Sequence, residues 1–269
     1  MPDLFEQARQ CIAAAEPDSK LELSRATRAA WLNRELLLDR SGTAASIGEP
    51  GRPARPELVH PSKVRQRKLT SETGRAAFLH ALAHIEFNAI NLGWDAVYRY
   101  RDMPAAFYDD WSRVAAEEAG HFELLRHRLR ELGHDYGDFP AHDGLWHMAR
   151  LTAHDGLVRM ALVPRVLEAR GLDVTPDMIR RLRDIGDVAT VRVLETILHD
   201  EIGHVEIGTR WYRYFCRQRG LEPVGTFFRL LEEYAPGRIR QPLNTEARQR
   251  AGFDHNELEL LMDLAANNS

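Results

Sequence analysis

Two short stretches of this chain, EEAGHFELL at 117–125 and DEIGHVEIG at 200–208, repeat one pattern 83 residues apart. Each contains Glu-x-Gly-His: Glu118 with His121, and Glu201 with His204. On a helix, positions i and i+3 share a face, so each pair aims a carboxylate and an imidazole the same way. A third carboxylate precedes each pair at nearly equal distance. Glu86 lies 32 residues before Glu118, and Glu168 lies 33 residues before Glu201. A dinuclear carboxylate site built in a helical bundle takes one glutamate from each of two helices and a Glu-x-x-His pair from each of the other two. The pattern therefore predicts two similar helical hairpins that supply six metal ligands: Glu86, Glu118, His121, Glu168, Glu201 and His204.

One Glu-x-x-His match is expected by chance in a chain of this composition. Two further matches occur, Glu57 with His60 and Glu131 with His134, but the first lies among prolines and the second straddles Gly133. The paired motifs differ in their surroundings. His84, Ile85, Phe87 and Ile90 flank Glu86; Ala115, Ala119, Phe122 and Leu125 flank the first pair; Leu194, Ile197, Ile202 and Val205 flank the second. Carboxylates set in apolar faces need a counter-charge, because an isolated buried charge is expensive. Two metal ions with a total charge of about +4 would balance four carboxylates. The glycine before each histidine removes a side chain, which would let a neighbouring helix or a small oxidant come close. Glu195 and His199 are candidates to hydrogen-bond the ligands from behind. Tyr98, Tyr100, Tyr108, Tyr212 and Tyr214 are candidates for a redox tyrosine, against an ordinary packing role.

The rest of the chain reads as helix throughout, and no alternating β pattern appears, so an all-α fold is predicted. Residues 3–40 hold two helical pieces. The segment 41–70, with Pro50, Pro53, Pro56 and Pro61, excludes a regular helix and predicts an extended run. Ser71 offers a helix start for a first core helix of about 75–101. Pro104 opens a second helix that Gly133 ends. Rods of this length span about 40 Å. The very short turn between them makes them antiparallel. The polar connection 133–144 reaches roughly 40 Å when extended, long enough for a crossover. A third helix is predicted from Leu145 to about Arg170, broken at Gly171 and Pro176 and resumed over 177–185. A fourth runs from about Asp187 to Arg219. Glu168 reaches the level of Glu201 only if 177–185 continues the third helix; otherwise His147 or His154 competes for that level. By composition the chain divides into N-terminal helices with the proline-rich segment (1–69), a metal-binding bundle (70–220) and a C-terminal helical extension (221–269).

The chain has 269 residues, 44% of them apolar and 28% charged, which suits a soluble cytoplasmic protein with a sizeable core. No apolar run approaches the ~18–20 residues of a membrane helix. Two cysteines, Cys11 and Cys216, make neither a disulfide framework nor a metal finger. A net charge of −4 excludes a general nucleic-acid footprint. One stretch, Arg52 to Lys68, is locally basic, either a solvated loop or a phosphate-binding element. If it binds RNA, neutralising its arginines should lower affinity and flatten the salt dependence.

The stretches GRAAFLHALAHIEFNAINLGWDA, EEAGHFELL, VPRVLEARGLD and ILHDEIGHVEIG resemble the ferritin-like diiron superfamily. They look most like a bacterial ferritin-like family catalogued as a domain of unknown function. The phrase EARG at 168–171 is similar to the third-helix glutamate region of diiron tRNA hydroxylases. The resemblance covers about 70–215. It implies a ferritin-like four-helix bundle with a long crossover, ligands at the six positions named above, and dioxygen or peroxide chemistry. Carboxylate and imidazole donors suit iron, or a mixed manganese–iron pair. The expected function is a dinuclear oxidoreductase or hydroxylase acting on a small molecule or a modified nucleoside. The alternative is non-catalytic iron binding or ferroxidase-type iron handling. No Gly-x-Gly-x-x-Gly fingerprint is present, so electrons are expected from an external donor or from the substrate. An oligomer is compatible with the sequence.

Overall fold

In the computed structural model, which describes residues 1–65 and 67–268, the chain is all-α. Among the described residues there is no β-strand, only two isolated bridges, Asp3 with Leu37 and Leu58 with Ala141. No described helix is long and apolar enough to cross a membrane. Contacts group the chain into two compact units, Met1–His147 and the part from Met148 onward.

The first unit is built on a helical hairpin. Helices α1 (Leu4–Ala13) and α2 (Pro17–Leu32) are followed by an irregular run that includes the proline-rich segment, with one 3-10 turn at Pro61–Lys63. Next come α3 (Glu72–Arg99) and α4 (Ala105–Glu131), of 28 and 27 residues. Ser71 caps α3 by accepting the Gly74 N–H at 3.1 Å, the start signal its sequence carries. Pro104 stands immediately before α4, and Gly133 closes it at φ +75°. The rods meet where α3 has no side chain: a Cβ on Gly93 would lie 2.8 Å from that of Ala115. Helix α1 packs on α3 and α2 on α4. The buried Lys20 ammonium joins these layers, donating to the carbonyls of Cys11 and Ile12 at the end of α1 and to Asn91 Oδ1 on α3 at 2.6 Å.

The second unit repeats the hairpin. Helix α5 (Gly144–Leu151) leads into it across the unit boundary. Helix α6 (Gly156–Leu162), a π turn (Val163–Glu168) and α7 (Ala169–Asp184) follow one another without a gap. They pack against α8 (Val188–Gln218). Gly186, at φ +76°, makes the reversal, and Asp187 caps α8 through the Thr190 N–H and hydroxyl. Helices α9 (Pro223–Tyr234), α10 (Thr245–Arg250) and α11 (His255–Asn267) complete the unit.

Two sequence expectations fail in the third core helix. It does not run unbroken from Leu145. The break falls at Thr152–Asp155, where Asp155 caps α6 through the Leu157 N–H and also pairs with Arg219 at 2.7 Å. Nor do Gly171 and Pro176 interrupt it, since both lie inside α7. Proline cannot donate to the carbonyl four residues back. That carbonyl, on Leu172, instead accepts the side-chain amide of Asn244 at 3.1 Å, so the vacancy in the ladder is filled from 72 residues away.

Candidate metal centre

Helix α3 carries Glu86, and α4 carries Glu118 and His121. All three are buried, with exposures of 6%, 0% and 2%. His121 Nδ1 lies 3.1 Å from Glu118 Oε2 and 3.6 Å from Glu86 Oε2. One ligand atom of each residue falls within 4.8 Å of the others, an arrangement able to hold a metal ion. The hairpin contact explains the register. From Gly93 facing Ala115, seven residues back along α3 is Glu86, and six forward along α4 is His121. Burial opposes a charge on His121, yet the two carboxylates outweigh it and push the imidazole up to about 11. The pocket holds a positive charge in place at neutral pH, as a site for a cation does.

The second unit has the same parts. Glu201 and His204 are buried on α8, with His204 Nδ1 at 3.4 Å from Glu201 Oε1. Glu168 ends the π turn and is half-buried. Here the close approach is Gly208, where a Cβ would sit 2.2 Å from Pro164 Cβ. Four residues forward from Pro164 is Glu168, and four back from Gly208 is His204. The helical register therefore sets Glu168 level with the histidine of its motif, as Glu86 is with His121. The competing histidines, His147 and His154, are exposed, and His154 stacks on Tyr234.

Other candidates fall away from these positions. Glu195 is exposed and pairs with Arg183, and His199 is exposed. The chance motifs are occupied elsewhere: His60 hydrogen-bonds Ser62, and Glu131 pairs with Arg128. Gly120 and Gly203 admit no neighbouring helix, for a Cβ at either would meet no described atom within 4 Å. Tyr98, Tyr108 and Tyr212 commit their hydroxyls to backbone partners: the Ala45 N–H, the Arg101 carbonyl and the Pro223 carbonyl.

Sequence reasoning missed a cluster beside Glu86. Tyr136, from the 133–144 connection, lies against Phe87 and Phe122, the residues next to Glu86 and His121. Its hydroxyl hydrogen-bonds His84 Nδ1 at 2.8 Å, and its ring stacks on His80 and His84. Burial pushes the phenol well above its ordinary value, so it stays protonated. His80 and His84 are both pushed down to about 4 by burial and stay neutral near pH 7. The spacing of His80, His84 and Phe87 along one helical face was the available signal. Their partner arrives from a loop that no periodicity places.

The family model described as "Protein of unknown function (DUF455)" matches residues 13–259. An uncharacterized protein of Haemophilus influenzae (strain ATCC 51907 / DSM 11121 / KW20 / Rd) is 49% identical over 219 residues, covering 79% of this chain and 76% of that protein. No solved structure matches the chain. A match over nearly the whole length, with half the residues shared by that relative, places the chain in the family described as Protein of unknown function (DUF455).

Proposed function

We propose that Glu86, Glu118, His121, Glu168, Glu201 and His204 hold a pair of metal ions, iron or one manganese with one iron, in a ferritin-like arrangement of two hairpins. The protein is then an oxidoreductase that uses dioxygen or peroxide. The observation that carries this reading is the buried set Glu86–Glu118–His121, whose ligand atoms lie within 4.8 Å of one another. A cation bound there would take the place of a proton between the imidazole and the two carboxylates. The same motif in the second unit, at the same hairpin level, supports a second set. That the two sets serve one pair of ions rests on the repeated pattern.

The donor chemistry fits the metals, since carboxylate oxygen and imidazole suit iron and manganese. When bound, such a pair supplies the redox step, drawing electrons from an external donor or the substrate. The chain's own residues bind and orient. Phe87, Phe122 and Tyr136 keep water from the Glu86 side, while open space beside Gly120 and Gly203 leaves room for a small oxidant. A substrate of small-molecule or modified-nucleoside class is consistent with this chemistry. Arg55, Lys63, Arg65, Arg67 and Lys68 of the basic stretch 52–68 are all exposed and would be the residues to meet an anionic group on that substrate. Gln66, within that stretch, lies outside the described residues.

Metal content by elemental analysis, on untagged protein from iron- and manganese-supplemented medium, tests the reading. Close to two ions per chain are expected, and at most one in Glu118→Gln with the helical fold retained. No metal after anaerobic Fe(II) reconstitution would sink it. The second reading, non-catalytic iron handling, predicts bound iron with no oxygen-dependent turnover of any added substrate. Loss of turnover in a still-folded Glu118→Gln favours catalysis; loss of thermal stability alone favours a structural metal.

A further inference from the structure

Glu168 stands between two buried ion pairs made with the C-terminal part of the second unit. Arg165, three residues before it in the π turn, is 1% exposed, and Glu257 of α11, itself 2% exposed, pairs with its Nη2. The guanidinium carbon lies 4.6 Å from the ring centroid of Tyr212, 4.1 Å from that of Phe227 and 4.5 Å from that of Phe253. Its Nε and Nη1 have no hydrogen-bond partner, so ring faces take the rest of its charge. Asp173, five residues after Glu168, receives a two-pronged pair from Arg248 at 2.9 and 2.7 Å and the Asn244 N–H at 3.0 Å.

A buried ion pair is a poor way to add stability, because desolvating both charges offsets their attraction. A cage of three aromatic rings would accept an apolar side chain at lower cost. What the pair adds is direction: Arg165 must face the cage, and it can do so only in one register of its helix. The register matters here because a π turn is an uncommon state, an α-helix with one residue too many in a turn. Relaxed to the α form, the residues beyond it would rotate by about 100°. Glu168, the last residue of the turn, would swing off the face it shares a level with on α8.

We propose that residues 244–257 clamp the π turn and thereby aim the Glu168 carboxylate, making Arg165 and Glu257 positioning residues for one of the two metal ions. The clamp reaches the helix through Arg165, Asp173 and the Leu172 carbonyl. It acts through the backbone turn that carries Glu168. This inference rests on reading Glu168 as a ligand.

The test is anaerobic Co(II) titration of the full chain, followed by calorimetry and by visible absorption, which reports coordination geometry. The double variant Arg165→Met/Glu257→Leu exchanges the pair for apolar groups and is expected to stay folded. Wild type should take two ions. The double variant should take one with wild-type affinity and the other at least tenfold more weakly, with altered absorption for that ion alone. A general loss of packing would weaken both. Should the double variant fail to fold, Arg165→Lys keeps the charge but not the planar fork, and the same selective tenfold loss is expected. Two ions with unchanged affinity in the folded variant overturn the clamp and leave the metal reading standing. No Co(II) or Fe(II) in wild type overturns both.

Discussion

A buried imidazole that accepts a hydrogen bond cannot also carry a proton on that nitrogen, and His80 is in that position. Its Nε2 accepts the Gly137 N–H at 2.9 Å, and its ring stacks on Tyr136. Burial holds it down at about 4, against an ordinary 6.5, although Asp138 and Asp135 pull the other way. The folded state thus keeps His80 neutral while the unfolded chain protonates it near 6.5. Its contribution is fully present above that value and is lost as pH falls through about 4. At about 1.4 kcal/mol per unit, the loss is of order 3 kcal/mol. Urea titrations at pH 7.5 and 5 should show wild type losing stability with acid, and His80→Gln, which retains an acceptor for Gly137, losing less. An identical acid loss in both proteins would refute this assignment. The residue scale is also where the sequence was most and least legible. Glu118 and His121 could be read directly because their relation is local, three residues on one helix. Tyr136 could not, because its place beside Phe87 depends on how a connecting loop folds back.

At the scale of the helix, glycines sort into two kinds that sequence alone does not separate. Gly120 and Gly203 interrupt the ligand motifs, and the sequence suggested a close neighbour at each. Neither has one among the described residues. Gly93 and Gly208, which lie outside the Glu-x-Gly-His motif itself, are points where the paired rods approach closely. Opposite effects follow for alanine. At Gly120 and Gly203 it meets open space and relieves the backbone entropy of a mid-helix glycine, raising stability by about 0.5–1 kcal/mol each. At Gly93 it drives into Ala115, and at Gly208 into Pro164, costing about 1–3 kcal/mol as overpacking does. Because these contacts set the register of both hairpins, Gly93→Ala and Gly208→Ala should also lower metal content, whereas Gly120→Ala and Gly203→Ala should not. Denaturant midpoints with metal analysis on the four proteins decide it. The third helix carries the same lesson. Its end near residue 185 was readable from sequence, but neither the break at Thr152–Asp155 nor its continuity through Pro176 was. The reason for the continuity is Asn244, whose amide serves the carbonyl that proline leaves open, a partner too distant in sequence for any local rule.

For the whole molecule, the compositional boundaries at 69 and 220 and the contact boundary after His147 describe different things. Composition marks where the proline-rich run ends and where the long helices stop. Contacts group each hairpin with the helices that cover it, and each group then contains one of the two Glu-x-Gly-His pairs and its upstream glutamate. All-α architecture was legible because helical periodicity runs the length of the chain, and the two units were not, because both are made of the same kind of element. The proposed pair of ions makes the two sets thermodynamically dependent. Anything that binds only the folded chain stabilises it by RT ln(1 + [L]/Kd), about 2.7 kcal/mol at a hundredfold excess over Kd. In a chain of this size that is a melting shift of roughly 5–10 °C. Chelation of the loaded protein should reverse the shift. The informative variant is Glu201→Gln, which leaves Glu86, Glu118 and His121 untouched. If six residues serve one pair of ions, Glu201→Gln lowers the stoichiometry below two and shrinks the metal-dependent shift by at least half. If the first set acts alone, the variant binds and melts as wild type does, and the second motif is a helical repeat without a metal.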